Sequence, residues 1–146
     1  MTEDSAQVVR IERTFDAPAE DVFDAWTSAE VIRRWFKPGR DWGAPSAEVD
    51  LRVGGAVSVV MRAPDGTEVG ASGEYTLIER PHRLAFTWTF DDDPSNQQVI
   101  ELEFTEQGGA TTVRFVNSNI SQEERRDQQY SGWQACLDNM ERVLVA

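Results

Sequence analysis

The sequence predicts an α+β fold in which a curved antiparallel β-sheet wraps around a long C-terminal helix, with two short helices after the first strand. Three observations carry this. First, Ser121-Gln122-Glu123-Glu124 has the form of a capping box, where the Ser oxygen takes an orphan backbone N–H and the Glu reaches back to the cap. Second, Tyr130, Trp133, Leu137, Met140 and Leu144 recur at alternating steps of three and four, which makes one apolar stripe on a long helix. Third, the stretch from about residue 46 to 118 alternates in hydrophobicity between turn signals, as strands do. A helix with one apolar face must then lie against that sheet, and the space between them is the natural place for a ligand.

Residues 1–7 are expected to be a tail. Val8 to Phe15 alternates, with Val9, Ile11, Arg13 and Phe15 on one side, and reads as a first strand. Asp16-Ala17-Pro18-Ala19-Glu20 starts a helix, because Pro18 suits the first turn and the acids suit the positive end. Its apolar face is Val22, Phe23 and Trp26. Thr27-Ser28-Ala29-Glu30 reads as a second capping box, opening a short helix with Val31, Ile32, Trp35 and Phe36 that Lys37-Pro38-Gly39 ends.

A loop with Trp42 and Pro45 leads to a short strand from Ser46 to Leu51 and a turn at Val53-Gly54-Gly55. Val57, Val59 and Met61 alternate in the next strand, and Pro64-Asp65-Gly66-Thr67 is a hairpin turn. The return strand runs through Gly73, Tyr75 and Leu77 to about Glu79. Arg80 to Arg83 turns the chain. Leu84, Phe86, Trp88 and Phe90 then share a bulky face. After the loop from Asp91 to Asn96 come Ile100, Leu102 and Phe104. Gln107-Gly108-Gly109 closes a further hairpin onto Val113, Phe115 and Asn117. Successive hairpins favour an antiparallel meander over a parallel sheet.

At 146 residues, with no linker, repeat or low-complexity segment, the chain reads as one domain over residues 1–146. With 26 acidic against 14 basic residues the net charge is -12. That opposes nucleic-acid and anionic-membrane roles. No run approaches the roughly 18 apolar residues of a membrane span. The acidic start Met1-Thr2-Glu3-Asp4-Ser5 is unlike a secretory signal, and Cys136 is the single cysteine. A cytoplasmic location is expected, with a monomer or a weak homodimer: the acidic surface resists self-association, while an open sheet edge can still pair.

Order and residues together resemble the activator of heat-shock protein 90 ATPase homologue 1-like family, within the START-like (SRPBCC) superfamily. The marks run from about Val9 to Leu144 and include Phe15-Asp16-Ala17-Pro18-Ala19-Glu20-Asp21-Val22, Trp26-Thr27, Trp35-Phe36 and Asp50-Leu51-Arg52-Val53-Gly54-Gly55. They continue with Met61, Asp65-Gly66-Thr67-Glu68, Gly73-Glu74-Tyr75, Pro81-His82-Arg83-Leu84, Thr87-Trp88 and Gly132-Trp133. The resemblance implies a helix-grip (START/Bet v-like) fold with a cavity between sheet and C-terminal helix. Members of the wider superfamily bind lipids, hormones or polyketides, or act as cyclases, so the resemblance does not itself supply a reaction.

Trp35, Met61, Tyr75, Trp88, Phe104, Trp133 and Leu137 are the candidate ligand-binding residues. An apolar pocket with a few Tyr O–H and Trp N–H tips would orient a small molecule. The alternative is that these side chains simply fill the core. No catalytic residue, metal site or cofactor is expected. The only histidine, His82, sits in a turn. Cys136 has no basic neighbour in sequence to lower its pKa. Asp91-Asp92-Asp93-Pro94 lacks the ligand spacing of a calcium loop. Arg13 shares its parity with Val9 and Ile11, which makes it the candidate inward cation, whereas Arg62 and Arg114 should face solvent.

The leading expectation is therefore binding of a small hydrophobic or aromatic ligand. A polyketide cyclase or hydrolase-like enzyme, and a protein-binding module with co-chaperone action, are the alternatives. An enzyme needs a titratable group inside the pocket, a carrier needs volume, and a docking module needs an exposed apolar patch.

Overall fold

The structure is a computed structural model that describes residues 7–145. The element order is β1 (Gln7–Phe15), α1 (Ala19–Thr27), α2 (Ala29–Trp35), β2 (Gly43–Val49), β3 (Ala56–Arg62), β4 (Glu68–Glu79), β5 (Arg83–Phe90), β6 (Gln98–Gln107), β7 (Ala110–Ile120) and α3 (Glu123–Val145). The seven strands form one antiparallel sheet in the order β1-β7-β6-β5-β4-β3-β2. Thus β2 to β7 are a meander, and β1 returns to pair with β7. The expected tail lies, except for Gln7, outside the described residues.

Strand alternation translates directly into burial. Val57, Val59 and Met61 of β3 are buried, as are Leu84, Phe86 and Trp88 of β5, Ile100, Leu102 and Phe104 of β6, and Val113 and Phe115 of β7. These side chains share the concave face. In β4 the alternation breaks. Tyr75 is buried and pairs with Phe86, but a register shift before Leu77 sets Leu77 opposite Ala85. The bulge turns Leu77 to the convex face and brings Ile78 opposite the buried Leu84. Close to this bend, a Cβ on Gly73 would stand 1.7 Å from the Thr87 carbonyl oxygen, so only glycine lets β4 approach β5 there.

The helix starts differ from the sequence expectation by one residue each. Ser28, not Thr27, caps α2, accepting the Val31 N–H at 3.4 Å. Thr27 is still in α1 and its hydroxyl donates to the Phe23 carbonyl. In α3 the Arg126 N–H bonds to the Gln122 carbonyl, so Gln122 stands at the cap, while the Ser121 N–H is taken by Asn96 Oδ1. Helix α1 is tied to the sheet by Glu106, whose carboxylate accepts the Ala19 N–H at 2.9 Å.

Helix α3 buries Trp133, Cys136, Leu137 and Met140. Tyr130 is exposed, held on the outside by a hydrogen bond from Gln134 and by Arg126 over its ring. The inward position one turn before Trp133 belongs instead to Gln129. The helix packs against α1, α2, β1 and β7, so it lies towards one side of the concave face. Arg13 of β1 does point at the helix, donating to Asp138 at 2.6 Å and to Gln134. Arg62 and Arg114 pair with Glu68 and Glu12 on the exposed surface.

Candidate functional site

The sideways seat of α3 leaves a gap between the helix and strands β3 to β5. It is closed by the α2–β2 connection, and its volume is about 200 Å³. Met61 of β3, Val69 of β4 and Phe90 of β5 form one wall. Gly132, Trp133 and Cys136 of α3 form the opposite wall, with Phe36, Pro38 and Trp42 between them. The walls are mostly apolar, and polar groups gather at one end: Asp92, Arg125, Gln128 and Gln129.

At that end Arg125 donates to Asp92 Oδ1 at 2.8 Å and lies 5.7 Å from the Phe90 ring centroid. The hydrogen bond from Arg125 holds the Asp92 carboxyl below its ordinary range. The pair ties the β5–β6 loop to the first turns of α3. Only one side chain of the pair is well shielded, so its net contribution is about 0–1 kcal/mol and it can open.

Beneath Trp133 runs a buried amide network. Asn117 and Gln98 are fully buried. Asn117 Oδ1 accepts from Gln129 Nε2 at 2.7 Å and from Trp133 Nε1 at 3.2 Å. Asn117 Nδ2 donates to Gln98 Oε1 at 3.0 Å, and the Gln98 and Gln129 amides bond each other in both senses. The network satisfies polar groups in the core and sets the orientation of Trp133 at the cavity wall.

The seven candidate residues distribute as follows. Met61 and Trp133 line the cavity. Trp35 and Trp88 lie one layer behind it, each in ring contact with the lining residue Phe36. Tyr75, Phe104 and Leu137 sit in the core, Tyr75 against Phe86 and Phe104 against Phe23. The Tyr75 hydroxyl and the Trp88 indole N–H are buried with no partner among the described residues, and burial pushes the Tyr75 hydroxyl up. No group of three or more His, Cys, Asp or Glu among the described residues is placed to hold a metal ion. No helix among the described residues is long and apolar enough to cross a membrane.

Sequence reasoning did not reach Arg125, Gln128, Gln129, Val69 or Pro38 as cavity residues. The available signals were two amides on apolar parities, Asn117 with Val113 and Phe115, and Gln98 with Ile100, Leu102 and Phe104. They mark where the buried face turns polar.

Cys136 also lines the cavity, yet burial pushes its thiol up to about 12, against a smaller downward pull from the Lys37 backbone. It is a neutral, weakly nucleophilic wall group. The unfolded thiol titrates near 9.0, so between these values the unfolded chain binds fewer protons than the folded one. Stability should then fall as pH rises, by up to about 1.4 kcal/mol per pH unit. Urea unfolding at about pH 9 and pH 10.5 checks this: Cys136→Ala should remove most of the loss, and an equal loss in the variant would assign it elsewhere.

A seven-stranded antiparallel sheet closed on a long C-terminal helix, with a cavity between the two, defines a START-like helix-grip protein. The chain belongs to the family described as Activator of Hsp90 ATPase homolog 1-like protein, whose sequence profile matches residues 16–145. Among solved structures it is similar to an AHSA1-like protein from Aeromonas hydrophila, with 31% identity over 92% of this chain and 90% of that one, and a TM-score of 0.76. An Hsp90 activator from Plasmodium falciparum shares 26% identity over 94% of this chain and 96% of that one, with a TM-score of 0.74. A protein from Chromobacterium violaceum reaches a TM-score of 0.87 at 23% identity, covering 94% and 97% of the two chains. No curated protein matches the chain.

Proposed function

We propose that the protein binds a small apolar or aromatic molecule in the cavity between α3 and the concave sheet. The observation that carries this is the cavity itself: about 200 Å³, walled by Phe36, Met61, Val69, Phe90 and Trp133. An apolar cavity of about 150 Å³ already accepts a benzene-sized ring, so this one suits one ring with a short substituent. The apolar part would rest on the ring walls, and a polar substituent would reach the Arg125–Asp92 end. With few polar anchors, affinity should be about micromolar. The reading assigns no catalytic residue and no cofactor, and takes the protein to act in the cytoplasm as a monomer or weak homodimer.

The test is a screen of ring-sized aromatic compounds by tryptophan fluorescence and melting temperature, since Trp42 and Trp133 both line the cavity. Gly132→Leu should abolish binding and leave circular dichroism unchanged. A Cβ at Gly132 stands 3.4 Å from Pro38 Cβ, so the longer side chain occupies the cavity, and leaving glycine favours the helix by about 0.8–1 kcal/mol. If no compound moves either signal, or if Gly132→Leu binds as the parent does, the reading is wrong.

A second reading, a protein-binding module with co-chaperone action, has the likeness to the Plasmodium falciparum Hsp90 activator in its favour. Its check is whether the purified protein stimulates the ATPase of an Hsp90.

A further inference from the structure

On the outer side of α2, away from the cavity, lies a second concavity. It is an open groove of about 550 Å³ between α2, the start of β2 and the end of β3. Arg33, Arg34, Lys37 and Arg62 line it, with Glu30 as the only acid among the lining residues. In a chain of net charge -12 that is an unusual local balance.

The pairing of charges sharpens it. Most cations of the described residues stand within ion-pair distance of a carboxylate. Apart from Arg10 and Arg142, those that do not are Arg33, Arg34, Lys37 and Arg40, all from one stretch around this groove. Acids outnumber bases across the chain, so cations without carboxylates are concentrated here against the odds of composition. The last turn of a helix does favour Arg33 and Arg34. That account does not extend to Lys37, which lies past the end of α2; Arg62 from β3 is already paired with Glu68.

The groove is also partly preorganised. Arg33 Nε donates to the Ala44 carbonyl at 3.1 Å, which fixes its guanidinium on the wall with its terminal nitrogens unused among the described residues. The same bond occupies an edge carbonyl of β2, and Pro45 has no N–H to offer. A peptide therefore cannot add here as a further strand. An extended polyanion would bring further charges within a Debye length, about 8 Å at physiological salt, of the acidic surface beyond the groove and be repelled there. A compact anion avoids that repulsion, and guanidinium forks match phosphoryl oxygens in pairs.

We propose that this groove binds a small phosphoryl-bearing molecule through Arg33, Arg34 and Lys37. The site is independent of the cavity under α3. Titration calorimetry of the full chain with pyrophosphate should give saturable one-to-one binding that weakens between about 50 and 150 mM salt. Arg34→Gln/Lys37→Gln should weaken binding by about tenfold or more, while Arg142→Gln and Gly132→Leu leave it unchanged. An acidic hexapeptide should bind more weakly than pyrophosphate. No saturation by about 10 mM pyrophosphate, equal binding by the double variant, or tighter binding of the peptide would each overturn the proposal; the last would make the groove a protein-docking surface.

Discussion

Trp133→Ala is expected to destabilise the protein by about 3–5 kcal/mol, the largest loss of any single truncation in the cavity wall. Trp133 is 4% exposed and stands at the junction of four elements. Its ring lies 4.6 Å from Phe115 of β7, 5.2 Å from Phe36 after α2 and 6.0 Å from Trp26 of α1. The Phe36 contact is edge-on, the Trp26 contact stacked and the Phe115 contact tilted, and ring pairs of the first two kinds add to simple burial. Alanine removes all of them and merges the void with the existing cavity, so neighbours cannot collapse to fill it. Guanidinium unfolding measures the change. A loss below about 1.5 kcal/mol would mean that α3 is seated by other contacts and that Trp133 is a replaceable lining group.

Asn117→Leu is expected to cost about 2–3 kcal/mol, although the two side chains are close in size. The loss comes from what is left behind. Trp133 Nε1 loses its acceptor, and Gln98 and Gln129 each lose one of their bonds while keeping the bonds to one another. A double-mutant cycle isolates the indole contribution. In a Trp133→Phe background the orphaned N–H no longer exists, so the cost of Asn117→Leu should drop by about 1 kcal/mol. Strict additivity would show that the indole–amide bond contributes nothing to stability.

The sheet was legible in the sequence because its face alternates almost without a break, and alternation is a direct record of which side of a strand is buried. Val57 to Met61 and Leu84 to Trp88 are plain cases. Where the record misleads, the cause is local geometry. A bulge between Tyr75 and Leu77 reverses the faces, and no residue type announces a bulge of that kind. Ser121 and Thr27 have the right chemistry for caps, but the neighbouring residue holds each cap position.

The candidate site was legible only in part, for a different reason. Periodicity shows that α3 has an apolar face; it does not show how far across the sheet the helix lies. That lateral position decides which aromatic side chains are cavity wall and which are core. Met61 and Trp133 line the space, whereas Tyr75, Phe104 and Leu137, equally apolar in pattern, are packed beneath it. Arg125 and Asp92 come together across a loop and a helix turn, a contact that neither segment implies alone.

The pairing of β1 with β7 also bears on how the chain acquires its structure. Strands β2 to β7 join through hairpins, and each finds its neighbour a short distance along the chain. Strand β1 must wait: Arg13 meets Val113, and Phe15 meets Thr111. Closing that loop costs entropy before any contact rewards it. As the polypeptide leaves the ribosome, Val9, Ile11 and Phe15 therefore precede both the strand they pair with and the helix that covers them. Until β7 pairs with that edge and α3 covers the face, they form a sticky segment, which is where misassembly would begin in a crowded cell.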